Sequence, residues 1–107
     1  MEVNVKATNV ELTPELSEYL QKRVDAFDKL IDSEDTSILC NVEVEKTTEH
    51  HQHGKVFRAE VNLHTRDGDF RADAENETLF NAIDDVQKQV LKELRRNRGK
   101  RKTLLKH

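Results

Sequence analysis

The sequence is short of the residues from which most catalytic and cofactor sites are built. It has one cysteine, Cys40, so no intrachain disulfide can form. The start Met1-Glu2-Val3-Asn4 has neither the basic residues nor the apolar stretch of an export signal. A reducing cytosol, and so a cytoplasmic location, is the expectation. The three glycines, Gly54, Gly68 and Gly99, are too scattered to form a phosphate-cradling loop. There is no tryptophan and only 5% of residues are aromatic, which argues against an RRM-type sheet that stacks bases on an aromatic platform. No apolar run approaches the ~20 residues of a membrane span, so no membrane partner is expected. Neither a Cys/His zinc module nor a basic zipper is present.

What is abundant is charge, unevenly placed. Charged residues make up 36% of the 107 and the net charge is −3. From Lys88 to His107 nine lysines and arginines face Glu93 alone, a net of +8, while the first 87 residues carry −11. Such asymmetry informs on partners rather than on fold.

Patterning supplies the fold. Val3, Val5 and Ala7 alternate with Glu2, Asn4 and Lys6, as in a half-buried strand. Thr13-Pro14-Glu15 has the capping residue, first-turn proline and first-turn acid of a helix start. Leu16, Leu20, Val24, Phe27 and Ile31 then predict one helix with a single buried stripe, and Arg23 beside it is expected to lay its stem on apolar surface and turn its guanidinium outward. Asp32 to Ser37 reads as a polar connector. Three more alternating segments follow: Ile38 to Glu45, Phe57 to His64, and Phe70 to Ala74 after the turn signal Asp67-Gly68.

The last helix is expected to be capped by Asn76, to bury Leu79, Ile83, Val86, Val90 and Leu94, and to stop at Gly99. The predicted architecture is α+β: a single β-α-β-β-β-α domain over residues 1–98, followed by a basic, flexible tail over 99–107. Its four-stranded mixed sheet has both helices on one face. Strands one and two are parallel through a right-handed crossover, and the rest form an antiparallel meander. The uncovered face is net acidic.

No catalytic constellation emerges, so no enzyme is predicted. Cys40 points inward among apolar neighbours as an inert thiol. Carboxylates are spread over solvated faces, and neither a small-molecule substrate nor a cofactor is implied. His50, His51 and His53 share one connection, but no cysteine or well-spaced carboxylate completes a metal site, so none is expected there.

Binding remains. On the last helix Lys88, Lys92, Arg95 and Arg96 fall on an arc of ~100° opposite the buried stripe, and Arg98, Lys100 and Arg101 continue the charge. Cations on an ordered helix suit phosphate oxygens and read shape rather than base sequence. The other reading open at this point is a protein-interaction module that sets its basic helix and tail against an acidic partner.

Three segments carry a family resemblance over roughly residues 1–100. They are Leu12-Thr13-Pro14-Glu15-Leu16, Gly54-Lys55-Val56-Phe57-Arg58-Ala59-Glu60-Val61, and Ala74-Glu75-Asn76-Glu77-Thr78-Leu79-Phe80-Asn81-Ala82-Ile83-Asp84. Their order and spacing resemble the short ribosome hibernation-promoting factor and ribosome-associated inhibitor A family. The resemblance implies binding to the small ribosomal subunit between head and body, over the messenger RNA and tRNA sites, which keeps idle ribosomes inactive in stationary phase or stress. It places RNA contacts at Arg23 and Lys29, with Lys22 adjacent, and at Lys92 and Arg96. Another basic position of the family is Gln89 here, with Lys88 beside it. The expected partner is the small subunit and its ribosomal RNA, and the free protein is expected to be a monomer.

Overall fold

The computed structural model describes residues 1–31, 34–47, 54 and 56–105, with side chains as far as residue 99. Four strands, β1 (Glu2–Thr8), β2 (Leu39–Lys46), β3 (Phe57–Thr65) and β4 (Gly68–Asn76), form one sheet in the order β1-β2-β3-β4. β1 runs parallel to β2, and β2–β3 and β3–β4 are antiparallel. Helix α1 (Pro14–Asp25) joins β1 to β2, and helix α2 (Leu79–Leu105) follows β4. This is the α+β, β-α-β-β-β-α domain that the alternation of apolar residues predicts.

The period-two pattern decides which face is covered. Cys40, Val42, Val44, Ala59, Val61 and Leu63 point to the helices and are buried. They meet Leu16, Leu20, Val24 and Phe27 from the α1 side and Ala82, Ile83, Val86, Val90 and Leu94 from α2. Burial raises the Cys40 thiol pKa to about 11, so it stays protonated and unreactive. No helix among the described residues is long and apolar enough to cross a membrane.

Three helix boundaries differ from expectation. Thr13 caps α1 as read, its hydroxyl accepting from the Leu16 N–H at 3.1 Å. The stripe to Ile31, however, is not one helix: α1 ends at Asp25, Ala26–Leu30 tighten into a 3₁₀ turn, and Ile31 is already extended. The tighter winding still buries Phe27 and ends the helix early enough for the chain to return to the sheet. At α2 the cap is Thr78 rather than Asn76: the Thr78 hydroxyl accepts from the Asn81 N–H at 3.1 Å. Asn76 is the last residue of β4, accepting from the Glu77 N–H and donating to Asp85 at 2.8 Å. Finally, α2 does not stop at Gly99 but runs on to Leu105. Glycine in a helix interior costs only ~1 kcal/mol relative to alanine, and strong helix formers flank it on both sides.

The acidic connector contains an anchor. Asp35, 7% exposed, accepts from the Ser37 hydroxyl at 2.6 Å, the Ser37 N–H at 2.9 Å and the Arg66 N–H at 2.8 Å. The Arg66 guanidinium in turn donates to the Glu34 carbonyl. These bonds, the Ser37 hydroxyl first, hold the Asp35 carboxyl pKa at about 2. They tie the crossover to the β3–β4 hairpin turn, where Gly68 has φ of +138°, a conformation few other residues tolerate.

Candidate nucleic-acid interface

Helix α2 is the longest element, 27 residues or ~40 Å. Among the described side chains its buried seam ends at Leu94, and the following eleven residues, Arg95 to Leu105, project as a further ~16 Å of helix. The flanks are fixed by contacts. Gln87 donates to the Arg23 carbonyl at 3.0 Å on the α1 side, and Gln89 donates to the Asp73 carbonyl at 3.2 Å on the β4 side. Between those flanks, away from the sheet, Lys88, Lys92, Arg95 and Arg96 are exposed, as is Arg98.

Pairing separates these cations into groups. Arg96 reaches Glu93 at 3.4 Å. Lys88, Lys92, Arg95 and Arg98 have no carboxylate partner among the described residues. On the α1 side Lys22 pairs with Glu18 at 3.3 Å with both side chains mostly in water, an interaction worth little. Lys29 stands exposed on the 3₁₀ turn. Lys100 and Arg101 continue the helical backbone. His50, His51 and His53 lie outside the described residues.

Arg23 departs from expectation. Its guanidinium does not turn outward but folds onto α2, donating from Nε to Asp84 Oδ1 at 2.8 Å and from Nη2 to the Tyr19 hydroxyl at 2.9 Å. It also lies over the Tyr19 ring, 4.5 Å from its centroid. Tyr19 donates to the same Asp84 oxygen and sets its ring edge-on to Phe80 at 4.7 Å and 86°. The bond to Tyr19, followed by that to Asp84, raises the Arg23 pKa. Burial and then the bond to Asp84 raise that of Tyr19. Both protons therefore stay in place, and the cluster clasps the two helices together. Gln89 is likewise explained: where the resemblance expects a cation, this chain has an amide that ties α2 to the carbonyl edge of β4.

The opposite side of the sheet has the other electrostatic character. Its cations are committed. Arg58 donates to Glu60 at 3.1 Å and Asp73 at 3.0 Å, Arg71 reaches Glu60 at 2.7 Å, and Lys6 faces Glu43 at 3.7 Å. Burial works to raise the Glu60 pKa, but a bond from Asn62 and the charges of Arg71 and Arg58 outweigh it and lower the value. Glu2, Glu45 and Glu75 add further carboxylates on that face. The helical side therefore presents cations without carboxylate partners among the described residues, while on the sheet side the cations are matched by carboxylates.

The family model described as Sigma 54 modulation protein / S30EA ribosomal protein matches residues 3–102. The chain belongs to this family. Among S30EA relatives, the Klebsiella oxytoca protein named "Ribosome hibernation promoting factor" is 26% identical over 102 residues, which cover 95% of this chain and 98% of that one. The "Ribosome hibernation promotion factor" of Bacillus subtilis (strain 168) is 25% identical over 101 residues, 94% of this chain but 50% of that one. The chain thus spans about half the length of the Bacillus relative. In fold, the N-terminal domain of Thermus thermophilus Protein Y superposes with a TM-score of 0.73 at 20% identity, covering 90% of this chain and 98% of that domain. The two share a fold although most of their side chains differ.

Two features of the surface escape the sequence. The Arg23–Asp84 bond joins residues 61 apart, and no local pattern signals it. Phe80, read as part of the helix opening, is one of the few large apolar side chains left in water. The signal that could have found it was its place one residue after Leu79, off the buried stripe.

Proposed function

We propose that this protein is a ribosome hibernation factor that binds the small subunit and acts by occupancy rather than turnover. The cationic side of α2, with Lys22 and Lys29 beside it, faces ribosomal RNA phosphates, and Arg23 stays committed to Asp84. Residues 99–107 extend that contact as a basic tail. The body of the domain fills the channel used by messenger RNA and tRNA and blocks it sterically. Such a protein works in the cytoplasm, needs no cofactor, and is a monomer when free. The single observation that carries this reading is that Lys88, Lys92, Arg95 and Arg98 on α2 have no carboxylate partner among the described residues, while Arg58 and Arg71 on the sheet face are held by carboxylates. The names of the Klebsiella and Bacillus relatives support it.

The test is sedimentation of the purified protein with vacant small subunits over a range of salt. Neutralising Z phosphates makes log affinity fall with log salt at a slope of about −0.7Z to −0.9Z. Co-sedimentation lost steeply between low and high salt is the expected result. Binding indifferent to salt, or following one ribosomal protein after the RNA contacts are removed, would overturn the RNA reading in favour of a protein-interaction module.

A further inference from the structure

Phe80 lies in the first turn of α2 with 40% of its surface exposed, whereas Phe27 is 1% exposed. Its ring packs T-shaped against Tyr19, and the exposed part of the phenyl meets water. Phe80, Asp84 and Lys88 follow at four-residue steps, so they lie one above another on the helix surface, with Lys88 ~12 Å along the axis from Phe80. A bare carboxylate between them would repel a phosphate chain. Asp84 is not bare: Tyr19 donates to it, and the Arg23 guanidinium cancels its charge at 2.8 Å. The ridge therefore runs from an open aromatic ring, across a neutralised carboxylate, to Lys88 and on towards Lys92 and Arg95. A strand whose phosphates lie on those cations brings its bases within reach of the ring.

We infer that Phe80 is a stacking site for one unpaired RNA base, placed at the N-terminal end of the α2 cation ridge. This deepens the ribosomal-RNA reading above and rests on it. A phenyl face accepts any base, so the site adds affinity and position rather than sequence choice. It also requires the RNA bound there to be single-stranded, because a base inside a duplex has no free face to offer.

The protein has no tryptophan, so Phe80→Trp places its one tryptophan at the proposed contact, excited selectively at wavelengths where Tyr19 does not absorb. Its emission should be quenched on titration with a short single-stranded RNA, and not with an abasic strand of the same length, which keeps the phosphates alone. Phe80→Leu preserves an apolar contact with Tyr19 and should melt as the parent does. It should bind vacant small subunits roughly 5- to 150-fold more weakly with an unchanged salt slope, whereas Lys88→Glu should make that slope shallower. If the parent binds subunits, Phe80→Leu binds equally well and Phe80→Trp is not quenched by RNA, the stacking site is overturned and the RNA interface stands. If the parent fails to sediment with subunits, the ribosome reading falls, and the oligonucleotide titration still decides the stacking.

Discussion

The two faces of this domain carry arginines to opposite ends. On the open sheet, Arg58 and Arg71 converge on Glu60, whose side chain is only 6% exposed, and Asp73 completes the cluster. On the outer side of α2, Lys88, Lys92, Arg95 and Arg98 meet no carboxylate among the described residues. A count of charges would treat both faces as rich in cations. Pairing shows that the first group holds the sheet together, while the second is available to a partner. Placement of acids therefore shapes the candidate interface as much as placement of bases does.

That contrast can be broken most forcefully on the helix. Replacing Lys88, Lys92 and Arg96 together by glutamate should weaken small-subunit binding by more than about 100-fold at moderate salt and flatten the log–log salt slope by roughly two to three units. Circular dichroism should show an unchanged fold. A folded triple variant that sediments like the parent would remove the helix from the interface.

The converse change belongs on the sheet. Glu60→Ala leaves Arg58 and Arg71 facing each other without their shared acceptor, and should destabilise the domain by ~2 kcal/mol, a fall of about 10 °C in Tm. Subunit binding measured well below that Tm should be unaltered. A large binding defect there would mean the two faces are not separate in function.

The smallest effect is expected at Asp35, which belongs to neither face. Its carboxyl pKa is lowered from 3.8 to about 2, so its contribution to stability is complete above the ordinary carboxylate value and is lost as pH falls through about 2. Asp35→Asn should therefore flatten the acid limb of the Tm–pH curve between about pH 4 and pH 2 without altering binding at neutral pH. An unchanged acid limb would show that another carboxylate governs it.

Much of the fold was legible because it is written in local periodicity. Val42, Val44, Val61 and Leu63 alternate with polar residues, and Leu79 to Leu94 recur at helical steps. One buried face per element leaves little choice of architecture. The candidate site was legible only as far as charge and helical phase can go. Lys88, Lys92 and Arg95 are exposed as their phase requires. Arg23 misled because a long amphipathic side chain is compatible with either face until its partner is known, and Asp84 is distant in sequence. Asn76 and Thr78 are both good capping residues, and the choice between them was made by pairing across the sheet: Asn76 is the β4 partner of Phe57. Gly99 reads as a stop only where the chain must turn, and the α2 backbone instead continues through it to Leu105.

That projection has one more implication. Because the buried seam among the described side chains ends at Leu94, replacements at Arg95, Arg96 or Arg98 should change the charge of α2 with little penalty to folding. A lineage or an engineer can thereby tune the charge beyond the seam without endangering stability, whereas Lys88 and Lys92 share their stretch of α2 with the core residues Val86, Val90 and Leu94.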